Sequence, residues 1–133
     1  MLEGRCLCGA VSWRLDADPG SATSCNCLAC RRNGGIWAYG HEAVDVQVSG
    51  ATQPYVRGDL ADPGLTFHRC ATCGNLAYWR GLELSEDGRR RMGVNLRLCE
   101  PEAVAAIPIK HFDGLGSWID LPSDGRTVAN MWF

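Results

Sequence analysis

Eight cysteines in 133 residues are where this chain can do chemistry. They fall into Cys6-x-Cys8, Cys25-x-Cys27-x-x-Cys30, Cys70-x-x-Cys73 and a lone Cys99. A C-x-x-C pair suits zinc because a tight turn aims both sulfurs at one point. Zinc then takes four ligands in a tetrahedron, with sulfur at about 2.3 Å. Gly9 and Gly74 each follow a cysteine pair directly, where glycine lets the backbone turn through positive φ. The repeated Cys-Gly ending makes Cys6, Cys8, Cys70 and Cys73 read as two halves of one closed four-thiolate site. A zinc there would staple the N-terminus to the middle of the chain. Such a zinc is worth about 10–16 kcal/mol, against about 5–15 kcal/mol for a whole domain. The metal-free chain is therefore expected to be unfolded or molten.

Cys25, Cys27 and Cys30 lie within six residues and can hold three corners of a tetrahedron. The fourth corner is then open to water or a substrate thiol, as in a catalytic zinc site. Zinc lowers the pKa of a bound thiol or water and polarises a bound oxygen. Two other readings stand beside this one. Cys99 can close the site as a fourth ligand, or it is a small buried hydrophobe between a strand and a helix cap. Cys27 and Cys30 also form a C-x-x-C able to oxidise.

Around these sulfurs, Arg31 and Arg32 are read as docking substrate carboxylates, or else as a solvated pair. Trp37 and Tyr39 sit two apart and share a strand face, which lines a pocket or belongs to the core. Trp37 is taken as a substrate contact. His41, His68 and His111 are candidate proton carriers, though a lone histidine is more often structural or on the surface. Trp13 and Trp118 are assigned to the core.

The elements that must position these residues are mostly strands. Sixteen glycines and six prolines suit short strands and tight turns. Val11, Trp13 and Leu15 alternate over 10–15, and Val44, Val46 and Val48 over 44–48. A strand is expected over 36–40. The strand over 53–57 belongs at an edge, because Pro54 cannot donate to a ladder. Segments 65–69 and 76–80 flank the second cysteine pair as a hairpin. Met92, Val94, Leu96 and Leu98 share a register over 91–98. One short helix follows Glu100-Pro101-Glu102 and stops at Pro108. The tail from Ile109 to Phe133 reads as a strand, a turn and an irregular closing segment.

Composition bounds the rest. The length fits one domain spanning 1–133. Net charge is −2 with no basic cluster, which argues against nucleic-acid binding. No run approaches the ~20 apolar residues of a membrane helix, and the N-terminus lacks a signal-peptide core. A cytoplasmic protein is expected, where eight cysteines are not a disulfide framework.

The segments Gly4-Arg5-Cys6-Leu7-Cys8-Gly9-Ala10-Val11, Cys25-Asn26-Cys27-Leu28-Ala29-Cys30-Arg31-Arg32 and Phe67-His68-Arg69-Cys70-Ala71-Thr72-Cys73-Gly74 carry a resemblance. So does the late run Pro108-Ile109-Lys110-His111-Phe112 to Trp118. They resemble the glutathione-dependent formaldehyde-activating enzyme family, which includes the centromere protein V relatives. The resemblance implies a mainly β, tent-like fold. It implies a structural zinc on Cys6, Cys8, Cys70 and Cys73, and a second, catalytic zinc on Cys25, Cys27 and Cys30. The implied activity joins glutathione and formaldehyde as a carbon–sulfur lyase acting on S-hydroxymethylglutathione. The sequence departs from the family pattern at Asn26, where a His is usual. The rival reading is a non-catalytic zinc module for protein contacts, since fold does not fix function.

Overall fold

A computed structural model describes residues 1–132. Phe133, the end of the expected closing segment, lies outside the described residues. The chain is mainly β. In order it forms β1 (Leu2–Arg5), β2 (Ser12–Leu15), β3 (Ala22–Cys25), α1 (Leu28–Asn33), β4 (Trp37–His41), β5 (Val46–Ser49), β6 (Thr52–Val56), β7 (Leu65–Cys70), β8 (Leu76–Gly81), β9 (Arg91–Asn95), α2 (Pro101–Val104) and β10 (Ile109–Phe112). Short 3-10 turns cover Leu96–Leu98 and Val128–Met131.

The strands make two sheets. One is β1-β2-β5; the other runs β10-β3-β4-β9-β8-β7-β6. All pairings are antiparallel except β10 with β3. Alternation sets the small sheet's inner face: Trp13 pairs with Val48 and Leu15 with Val46. Val11, Trp13, Leu15, Val46, Met92, Val94, Leu96, Ile109 and Val128 form the main core. A second, aromatic cluster of Trp37, Phe67, Leu76 and Trp79 lies beside it. Pro54 is on β6, an edge strand of the large sheet, where its missing N–H leaves no broken ladder.

Four expectations change. The strand around Val46 does not reach Val44, which is exposed in a turn where Ala43 takes φ 59°. The strand from Arg91 ends at Asn95, because the Asn95 side chain accepts the Arg97 amide and starts the 3-10 turn. Among the described residues there are two short helices rather than one: α1 runs through the three-cysteine motif, and α2 ends already at Val104. Trp118 is not in the core; it is 62% exposed, whereas Trp13 is buried. Trp118 sits at φ 59° at the end of a tight loop, and its ring packs edge-on to Phe112 of β10 and not among the main-core residues. Among the described residues, no helix is long and apolar enough to cross a membrane.

Candidate metal sites and the adjoining cavity

The Cys6, Cys8, Cys70 and Cys73 sulfurs all lie within 4.8 Å of one another. A tetrahedral zinc with 2.3 Å bonds needs sulfur–sulfur edges of about 3.8 Å. Cys6–Cys8 and Cys8–Cys70 are both 3.6 Å, so the donor set fits such an ion. Two matching turns build the site. Gly9 N–H donates to Cys6 C=O (2.8 Å) and Gly74 N–H to Cys70 C=O (3.0 Å). These glycines take φ 80° and 77°, the left-handed region open to glycine. Asn75 ties the turns together, its Oδ1 accepting the Leu7 amide at 2.8 Å. Backbone N–H groups face the sulfurs: Val11 to Cys6 at 3.2 Å, Thr72 and Cys73 to Cys70 at 3.4 and 3.5 Å. The Asn75 and Cys8 amides, with neighbouring thiols, pull Cys73 down to about 6.

Cys25, Cys27 and Cys30 form a second group whose sulfurs also lie within 4.8 Å of one another. Cys25 ends β3. Cys27 is the N-cap of α1, its sulfur accepting the Cys30 amide at 3.4 Å. Gly34, at φ 68°, closes this helix by donating its N–H to Cys30 C=O. The chain then enters β4, where buried Asn95 accepts the Ile36 amide and fixes the start of the strand. Trp37 follows, and its Nε1–H donates to Cys30 Sγ at 3.3 Å. From β6 the chain leads to Arg57, whose Nη1–H reaches Cys27 Sγ at 3.8 Å. Asp59 holds that guanidinium in a fork, at 3.0 Å to Nε and 2.6 Å to Nη2. Hydrogen bonds from the Cys25 and Cys30 thiols, then the Cys30 amide and Arg57, hold Cys27 far below the ordinary thiol range. The same sharing with Cys25 and Cys27, then burial, pushes Cys30 far up.

The two groups therefore differ in kind. The four sulfurs are met by backbone amides. The three sulfurs also receive an indole N–H and a cation, and they open into a cavity of about 820 Å³. Its walls include Trp37, Tyr39, Phe67, Trp79, Phe112 and Trp118, with the cations Arg57, Arg91 and Lys110. Arg91 lies over the Tyr39 ring at 4.6 Å. Burial raises the Tyr39 phenol above its ordinary value.

The structure separates the residues read from sequence as follows. Trp37 lines the cavity. Arg31 and Arg32 do not: they project from the last turn of α1 into solvent, while the cavity's cations come from other strands and loops. The three histidines also lie outside its lining. His41 pairs with Asp45 and His111 with Asp124, both at 3.1 Å; His68 is buried against Tyr78. Cys99 joins neither sulfur group and packs against the main core. Sequence reasoning missed Arg57, Arg91 and Lys110, which are far apart in the chain and carry no local motif.

The family model for the glutathione-dependent formaldehyde-activating enzyme matches residues 1–110. The chain belongs to that family. This span takes in both sulfur groups and all strands up to the start of β10. A crystal structure of a protein from Rhodobacter sphaeroides is similar, with a TM-score of 0.59 and 26% identity. The match covers 81% of this chain and 99% of that one. A search of curated proteins gave no significant match.

Proposed function

We propose that this family member is a zinc-dependent carbon–sulfur lyase acting on a thiol–aldehyde adduct of the S-hydroxymethylglutathione type. The observation that carries this is the three-sulfur group at the floor of a cavity whose wall includes Arg57 in contact with Cys27. In this reading Cys6, Cys8, Cys70 and Cys73 hold a structural zinc, and Cys25, Cys27 and Cys30 hold a second with one open position. That ion, when bound, keeps a thiol ionised and polarises an oxygen.

The protein's own groups do the rest. Arg57, Arg91 and Lys110 receive the carboxylates of a thiol such as glutathione through charge-assisted hydrogen bonds. The substrate sulfur attacks the aldehyde carbon, a C–S bond forms, and the C=O π pair moves to oxygen. The thiol proton leaves to water as the thiol binds, and the Tyr39 hydroxyl on the cavity wall supplies a proton to that oxygen and is then reprotonated from water. The reverse sequence cleaves the adduct.

The test is a zinc-edge anomalous map of crystals grown with zinc and glutathione. Two zinc peaks per chain are expected, with the glutathione sulfur beside the one at Cys25, Cys27 and Cys30. A single peak at the four-cysteine site would favour the second reading, a non-catalytic zinc module. The exposed apolar run of Leu115, Trp118, Ile119 and Leu121 gives that reading its support.

A further inference from the structure

We propose that Asn26 is a positioning residue that fixes the loop 113–118 against the three-cysteine site and so sets Trp118 as the outer wall of the substrate cavity. The inference rests on the thiol-binding reading of that site for its functional consequence.

Asn26 stands between Cys25 and Cys27 in the chain, and its side chain is taken up by the loop 113–118. Its Nδ2–H donates to Asp113 Oδ1 at 2.9 Å, and its Oδ1 accepts the Leu115 amide at 2.9 Å. Its backbone N–H donates to Phe112 C=O at 3.2 Å, extending the β3–β10 pairing into the loop. Asp113 then organises the remainder. Its carboxylate accepts the Gly116 amide (3.2 Å) and the Ser117 amide and hydroxyl (both 2.8 Å), and its carbonyl accepts the Trp118 amide at 2.8 Å. The Asn26 side-chain amide thus ties this loop to the three-cysteine motif through two hydrogen bonds, while Asp113 braces the loop from within. The job needs a donor and an acceptor on one short group; an Asp or a Leu at position 26 lacks the donor.

The anchored loop lies on the sulfurs. A Cβ at Gly114 would stand 2.6 Å from Cys25 Sγ and 3.1 Å from Cys27 Cβ. Only glycine permits that approach, so the Cys25 flank of the site is covered by backbone. At the far end of the loop, Trp118 packs edge-on to Phe112 at 6.0 Å, and both rings line the cavity. Trp118 thus stands on the cavity wall beside this covered flank, and in the proposal the Asn26 amide determines where it stands.

The test compares zinc-loaded wild type with Asn26→Ala, Asn26→Asp and the swapped pair Asn26→Asp with Asp113→Asn. Amide hydrogen exchange is read at Leu115, Ser117 and Trp118, and glutathione affinity is read by calorimetry. Asn26→Ala is expected to speed exchange and weaken glutathione each by about tenfold. Asn26→Asp should lose more, because two carboxylates then face each other. The swapped pair should recover most of the protection, since the amide then at position 113 can donate to the carboxylate at position 26. Unchanged exchange in Asn26→Ala, or no recovery in the swapped pair, overturns the proposal. So does faster exchange with unchanged glutathione affinity. If Asn26→Ala loses metal or fold, Trp118→Ala decides: this exposed ring can go without disturbing the core, and an unchanged glutathione affinity overturns the proposed wall. Wild type that protects these amides yet binds no glutathione overturns the thiol reading itself, and the two failures are told apart.

Discussion

Arg57 and Cys99 show how much a single residue's surroundings decide. Three thiolates around a divalent ion carry a net negative charge, and a fourth thiolate would add another. Arg57 is the cation that touches this group, and Asp59 holds it in place. Arg57→Ala is expected to weaken glutathione binding by about tenfold, the scale of one charge-assisted hydrogen bond. Zinc at the four-cysteine site should be unaffected. Arg57→Lys should recover only part of the loss, because lysine cannot keep both the fork to Asp59 and the contact to Cys27. Calorimetry on the two variants checks this. Cys99 has the opposite character. Burial, then the Glu100 charge, pushes its thiol from 9.0 up to about 12. Its thiolate fraction at neutral pH is then about a thousandfold below that of a free cysteine. In zinc-loaded protein, Cys99 should alkylate much more slowly than free cysteine, with the rate rising with pH until the thiol titrates. The same shift has a stability sign. Above pH 9 the unfolded chain releases this proton and the folded chain does not, so this contribution to stability is lost as pH rises from 9.0 to about 12. Cys99→Ala should leave the zinc content unchanged; loss of one zinc would make Cys99 a ligand.

Among the elements, the two cysteine turns are the most constrained. Gly74 sits at φ 77° with nothing within 4 Å of where a Cβ would stand. Gly74→Ala therefore costs backbone conformation alone, about 1 kcal/mol. A drop of about 3–5 °C in melting temperature is expected, with zinc content retained, as scanning calorimetry and metal analysis would show. The α1 helix is shaped by the same chemistry. Cys27 caps its start and Gly34 its end, so the helix lasts six residues and returns the chain to β4 beside its own sulfurs. It holds Cys30 against Trp37 while leaving Arg31 and Arg32 in solvent. A sequence reading that places those arginines in the pocket from adjacency alone misses that a helix turns neighbours to different sides.

Across the molecule, the four-sulfur site bridges the two sheets. Cys6 and Cys8 follow β1 of the small sheet, and Cys70 and Cys73 flank the β7–β8 turn of the large one. Cys6 and Cys70 are themselves buried in the main core. In the proposed reading, removing the zinc would leave four thiols there and release a link between the sheets. Full chelation is expected to abolish the cooperative thermal transition followed by circular dichroism. Cys70→Ser should behave the same way. Cys27→Ser should instead melt cooperatively with one zinc per chain, because its site lies at the cavity and not between the sheets. If both variants melted alike, the division between a structural and a chemical site would fail.

Each cysteine turn and most of the strands were legible in the residues alone, because those are local; the joining of Cys6 and Cys8 to Cys70 and Cys73 across the chain was readable only through the repeated Cys-Gly ending and the family resemblance. Cysteine spacing and the glycines after it define the turns, and alternation over β2, or Pro54 on an edge, reports which face meets the core. The family resemblance was readable in the same motifs. What surrounds the sulfurs was settled by folding. Arg57, Arg91 and Lys110 converge from three separate strands or loops, Trp118 leaves the core for the cavity wall, and Asn26 finds Asp113 across 87 residues. Spacing along a chain encodes a turn; it does not encode which distant side chains a folded sheet brings to the same cavity.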